Sequence, residues 1–132
     1  ISEVDTLDMP RLIARAYEHG DAAKVLLVKG ETDYVVKEGQ TITTISEPNI
    51  AAMEPIGGTG DTITGIASAL IYGGFDIIPA SIIAAKTNRI AGLLCHPTPA
   101  THIGEIVAKL PEALTQVLAT EGGAIHAKAS VH

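Results

Sequence analysis

Tryptophan is absent, and only four aromatic side chains, Tyr17, Tyr34, Tyr72 and Phe75, occur in 132 residues, 3% of the chain. Unpaired bases are bound by stacking on such rings, so single-strand recognition has no platform here. Positive charge is also scarce. Nine Lys and Arg face fifteen Asp and Glu for a net charge of −6, the reverse of the balance that neutralises a nucleic-acid backbone. The single cysteine, Cys95, excludes an internal disulfide and a disulfide-stapled secreted scaffold, and it fits the reducing cytoplasm. The opening ISEVDTLDMP has acidic residues where a secretory signal carries a basic segment followed by an apolar run. The longest nearly uncharged stretch, Thr62 to Ala85, is interrupted by Gly73-Gly74, Asp76 and Pro79, so no membrane span is expected from it.

What the chain does have is apolar side chains, 46% of the residues, with a mean hydropathy of +0.29. That is enough to build a folded core, and the length suits about one domain. Asp8 and Pro10 open an amphipathic pattern through Leu12, Ile13, Ala16 and Tyr17 that Gly20 closes, which predicts a first helix. Lys24 to Val28 is a continuous apolar, β-branched run of the kind that forms a strand covered on both faces. Asp33 to Val36 and Thr41 to Ile45, joined by Lys37-Glu38-Gly39-Gln40, predict a hairpin. Ser46 to Gly60 has loop composition.

Beyond that loop, Asp61 to Tyr72 places Ile63, Ile66, Ala67, Leu70 and Ile71 at helical spacing with no charge after Asp61. A helix apolar nearly all round is expected to be buried. Gly73-Gly74 should end it, Pro79 should open a second apolar helix, and His96-Pro97-Thr98-Pro99 should stop that one. Two amphipathic helices, about His102 to Lys109 and Glu112 to Ala119, are expected before a weak tail. Two helices with almost no polar face need more covering layer than one strand and one hairpin supply. The expectation is therefore a single partial domain over residues 1–132, a piece of a larger α/β domain, or a chain that buries these helices against another chain or a copy of itself; a compact, self-sufficient α+β domain is the alternative. Ile1 in the place of Met fits a fragment.

The chemistry concentrates in Gly57-Gly58-Thr59-Gly60-Asp61, a glycine-rich turn running straight into a helix. Glycines let a ligand approach the backbone, and the first N–H groups of a helix are unsatisfied donors at the positive end of its dipole. This is a place for an anion. Two roles fit Asp61: a first-turn acid that stabilises the dipole, worth about 0.5–2 kcal/mol, or a general base beside a bound phosphate.

In the order Val25-Leu26-Leu27-Val28-Lys29-Gly30, then a hairpin, then Gly57-Gly58-Thr59-Gly60-Asp61-Thr62-Ile63-Thr64-Gly65 opening an apolar helix, the chain resembles the C-terminal half of the ribokinase-like superfamily, whose mark is a G-[AST]-G-D turn. It is most similar to the carbohydrate-kinase-like branch that contains the ADP- or ATP-dependent NAD(P)H-hydrate dehydratases. The resemblance runs over residues 24 to 118. It implies a three-layer α/β/α fold present in its C-terminal part. It also implies ADP or ATP with Mg2+ as cofactors, a small-molecule substrate, and as partner the missing N-terminal half or a second copy of the chain. Gly58, Thr59 and Gly60 would form the anion hole around the transferred phosphate, Asp61 would be the catalytic base, and Lys29 would lie near the nucleotide phosphates. Lys29 also reads simply as a solvated lysine closing a strand. The parent activity implied is NAD(P)H-hydrate dehydration, with a sugar or vitamin-precursor kinase as the neighbouring possibility. A non-catalytic nucleotide-binding or oligomerisation module is the reading from a different class.

The chain departs from the family in length, members being about twice as long. The N-x-x-E segment that organises magnesium would fall near the start, where Glu3 alone stands, and no role is assigned to it. Asn49 is a weak match to the family's asparagine-rich loop. No Lys-Ser or Lys-Thr follows the glycines, so the turn is not a Walker A loop. Cys95, His96 and His102 lack standard zinc spacing, and no metal site is expected of them. His102 and Glu105 are expected to pair as surface side chains one helical turn apart.

Overall fold

The computed structural model describes residues 25–53 and 56–120. The expected helix after Asp8, the residue Glu3 and the tail after Gly122 lie outside the described residues. The chain divides into two compact units, residues 1–46 and 47–132.

In the first unit, β1 (Val25–Val28), β2 (Asp33–Lys37) and β3 (Gln40–Ile45) form an antiparallel sheet in the order β1-β2-β3. The hairpin forms as the sequence predicts. Lys37 pairs with Gln40 across a two-residue turn in which Glu38 and Gly39 both have positive φ, 50° and 85°. That is the type I′ geometry whose twist matches the flanking strands. Val35 pairs with Thr43 and Val36 with Thr41, so Ile42 is the extra residue of a β-bulge, and its side chain is exposed. The strand buried on both faces is β2, not β1. Val35 and Val36, adjacent and therefore on opposite faces, are fully buried, whereas Val25, Leu27 and Val28 are half-buried. The reason is position: among the described residues β2 is hydrogen-bonded to a strand on each side, while β1 pairs with β2 alone.

The second unit is a short 3-10 turn at Ala51–Met53 followed by α1 (Thr59–Tyr72), α2 (Ile77–Cys95) and α3 (Ile103–Thr120). α1 packs on α2 and α2 on α3. α2 carries the core: Ala80, Ile83, Ala84, Ala85 and Ala91 are fully buried, and Met53, Ala91, Ile106 and Ala113 form one apolar cluster. By length and composition alone α2 is apolar enough to cross a membrane. Its buried Thr87, Asn88 and Arg89 mark it as a core helix, because such groups are costly in hydrocarbon.

Gly73-Gly74 ends α1 as expected, in a Schellman arrangement: Gly74 N–H donates to Ile71 O and Phe75 N–H to Leu70 O, each at 3.0 Å, with Gly74 at φ 109°. Three expectations are corrected. α1 is not buried all round; Thr59 and Ile63 are its buried residues, and Ile71 and Tyr72 stand exposed, because α2 covers one side of a helix whose composition offered apolar groups on every side. α2 begins at Ile77, two residues before Pro79, since the first-turn N–H groups have no partner to lose and proline is tolerated there. The two expected C-terminal helices are one. α3 runs through Pro111, which lies on the exposed side, where water can satisfy the carbonyl that the missing N–H would have bonded. The buried stripe Ile106, Ala113 and Val117 continues across it at helical spacing.

The described residues thus combine helices with a small antiparallel sheet, as expected of part of an α/β fold.

Candidate functional site

The glycine turn folds as the first turn of α1. Gly58 is the N-cap at φ 96° and has no side-chain capping bond. The first helical hydrogen bond is Thr62 N–H to Gly58 O at 3.1 Å. The N–H groups of Thr59, Gly60 and Asp61 therefore precede the intrahelical ladder and are donors at the positive end of the dipole. Glycine is required at position 58 for two reasons. Its φ lies in the left-handed region, and an added Cβ would come 3.0 Å from Ile103 Cγ1. At Gly60 an added Cβ meets nothing within 4 Å, so packing within the protein does not demand glycine there.

Four of the predicted site residues are thus brought together on one turn. Thr59 is buried, while Gly58, Gly60 and Asp61 are exposed. Asp61 is a first-turn acid with its carboxylate open to solvent. Lys29 belongs to the first unit, half-buried at the end of β1, where the following turn is held by Gly30 N–H donating to the buried Asp33 Oδ1 at 3.1 Å.

Beside the turn is an open cleft of about 320 Å³ lined by Ile56, Gly57, Thr98, Pro99, Thr101, His102 and Ile103. Its far wall is the loop into α3, braced by Thr98 N–H donating to Thr101 Oγ1 at 2.8 Å and Ala100 N–H to Thr98 Oγ1 at 3.2 Å. The two helix starts near this cleft differ. At α3, the Glu105 carboxylate accepts the backbone N–H of His102 at 2.7 Å, half of a capping box, so Glu105 serves the backbone and not the His102 ring as the spacing suggested. At α1 the N-cap is Gly58, which makes no side-chain capping bond, and among the described residues no side chain takes the donors. Uncapped donors, room above Gly60 and an exposed carboxylate one residue on make the start of α1 suited to a phosphate with a proton acceptor beside it.

Two features of the site were missed in the sequence. Thr98 to Ile103 gave only a proline-rich stop signal. Asn88 gave a signal that could have been read: with Lys86, Thr87 and Arg89 it breaks an otherwise apolar helix. It is 2% exposed and reaches the α1 turn, where Thr62 Oγ1 lies 3.1 Å from its Oδ1. The neighbouring Arg89 donates to Pro48 O at 3.1 Å, tying down the loop that carries Asn49. Cys95 packs beside the apolar cluster, and among the described residues no three His, Cys, Asp or Glu side chains come together as a metal cluster would require.

Comparison with known proteins places this geometry in context. Residues 3–114 match the family model described as NAD(P)H-hydrate dehydratase. An uncharacterized protein of Methanocaldococcus jannaschii is 45% identical over 118 residues, which cover 89% of this chain and 51% of that protein. The bifunctional NAD(P)H-hydrate repair enzyme Nnr of Hyperthermus butylicus is 35% identical over 102 residues, 76% of this chain and 18% of that enzyme. The chain thus spans about half the length of the first relative and under a fifth of the second. No solved structure matches it.

Proposed function

The chain belongs to the NAD(P)H-hydrate dehydratase family, and from that premise we propose that its Gly58–Asp61 turn is the phosphoryl-transfer element of an ADP- or ATP-dependent NAD(P)H-hydrate dehydratase, a metabolite-repair activity. The observation that carries the reading is the uncapped start of α1 with Asp61 in its first turn.

The residues fit a nucleotide phosphate. The backbone N–H groups of Thr59, Gly60 and Asp61 donate to phosphate oxygens, and the helix dipole holds negative charge as it develops. Gly60 keeps the approach open. Asp61, exposed beside those donors, accepts the proton of the hydroxyl on the hydrated nicotinamide ring as that oxygen becomes the nucleophile. A bound nucleotide would supply the phosphoryl group that turns this hydroxyl into a leaving group. Lys29 is assigned to the nucleotide phosphates on the strength of its match to the family's Lys-Gly pair alone. Among the described residues no three His, Cys, Asp or Glu side chains gather; Mg2+ would be held chiefly by phosphate oxygens and water with one or two carboxylates, which needs no such cluster. The single cysteine and the metabolic family support a cytoplasmic setting.

The test is an assay of the full-length parent protein with hydrated NADH and either nucleotide, because a partial domain is expected to be incomplete for turnover. Nucleotide-dependent recovery of the reduced-nicotinamide absorbance is the expected result. Nucleotide consumption that requires a sugar or vitamin-precursor alcohol, and ignores the hydrate, overturns dehydration in favour of a kinase. Binding of nucleotide with turnover of neither substrate class identifies a non-catalytic nucleotide-binding module.

A further inference from the structure

The proposed reaction depends on where three backbone N–H groups point, and a buried side chain far along the sequence bears on one of them. Asn88, on α2, is 2% exposed. The Thr62 hydroxyl lies 3.1 Å from Asn88 Oδ1 and 2.7 Å from the carbonyl oxygen of Thr59. One hydroxyl proton cannot serve two acceptors in full, so it is shared, or the Asn88 amide turns its NH2 toward Thr62. In both arrangements Asn88 holds the hydroxyl over the Thr59 carbonyl.

The peptide unit is planar and trans, so the Thr59 C=O and the Gly60 N–H are opposite ends of one rigid plate. Whatever fixes the Thr59 oxygen aims the Gly60 N–H, the middle donor of the three. Helicity of α1 does not need this brace. Thr62 N–H already bonds Gly58 O, and Thr64 Oγ1 bonds Gly60 O at 3.0 Å. Aim is the more demanding property, because a hydrogen bond weakens steeply as its angle closes. The Thr62–Asn88 contact spans 26 residues and fastens the turn to the buried helix of the same unit.

We propose that Asn88 is a positioning residue for the anion-binding turn: through Thr62 it fixes the Thr59–Gly60 peptide and so aims the Gly60 N–H at a phosphate oxygen. The proposal rests on the reading of this turn as a nucleotide phosphate site.

Thr62→Val removes the hydroxyl at nearly constant shape, Thr62→Ser returns it, and Asn88→Ala removes the amide. Two measurements are made on the whole chain: calorimetric titration with ADP, and NMR relaxation with hydrogen exchange of the Gly60 amide in the ligand-free protein. Thr62→Val and Asn88→Ala are each expected to weaken ADP binding about tenfold and to loosen the Gly60 amide. Their combination should be no worse than either alone, as expected of two members of one relay. Thr62→Ser should behave as the wild type, a rescue that a purely packing role would not produce. Should Asn88→Ala fail to fold, the Thr62 pair carries the test alone. Unchanged ADP affinity in folded Thr62→Val, where the wild type does bind, overturns the positioning role while leaving the phosphate site standing. Absence of ADP binding by the wild type overturns the functional reading and, with it, this proposal, whatever the Gly60 amide does.

Discussion

Gly58 and Ile103 meet where the starts of two helices converge: a Cβ on Gly58 would stand 3.0 Å from Ile103 Cγ1, and the Gly58 backbone is at φ 96°. The first contact sets how closely α1 begins to the loop into α3, and the backbone conformation sets the direction in which the turn presents its donors.

Gly58→Ala should therefore destabilise the chain by about 1–3 kcal/mol, from the left-handed φ and the tight contact together. Denaturant unfolding measures it. Ile103→Ala in the same background should make the Gly58 substitution less costly by relieving the contact, while the conformational part persists.

Gly60→Ala should do the opposite. Its Cβ enters open space at a helical position, so stability is expected to rise by about 0.5–1 kcal/mol. Affinity for ADP or ATP should fall in the same variant, because the methyl stands where a phosphate must approach. A thermal melt beside a calorimetric titration separates the two effects, and unchanged nucleotide affinity would show that glycine at this position has no bearing on the ligand.

Asp61→Asn keeps the side chain's shape and its exposed place in the first turn. Nucleotide binding should survive. In the full-length parent protein, turnover of hydrated NADH should drop by about 100- to 10,000-fold, the range expected for loss of a general base. A stability loss of about 0.3–1 kcal/mol, from the weakened dipole interaction, is the result if Asp61 serves only as a first-turn acid; in that case turnover stays as it was.

Gly92 has no room for a side chain: a Cβ would run into Met53 Sδ, itself buried in the apolar cluster. Gly92→Ala is expected to cost about 1–3 kcal/mol by overpacking. Combined with Met53→Ala it should cost less than the two single changes together, since the methyl then fills the space left by the thioether, a coupling that a double-mutant cycle reads directly.

Short-range chemistry settled several features before any fold was known. Gly39 gave the hairpin turn, Gly73-Gly74 the end of α1, and His96 with its prolines the end of α2, because each depends on backbone freedom within a few residues. The Gly58–Asp61 turn was legible for the same reason: a helix start exposes donors wherever it occurs. Apolar content gave the helices but not their surroundings. Ile71 and Tyr72 were expected inside and lie exposed, and Val35 with Val36 took the doubly buried place expected of the first strand.

The sequence by itself determined the hairpin turn, the glycine end of α1, the stop of α2 and the glycine turn that opens α1, since these follow from φ preferences and unpaired backbone groups close along the chain. Only the tertiary structure decided which faces are covered, that α3 continues through Pro111, and that Asn88 reaches Thr62 from 26 residues away. Burial and side-chain convergence depend on elements that meet in space, and a pattern of neighbours carries no record of which elements those are.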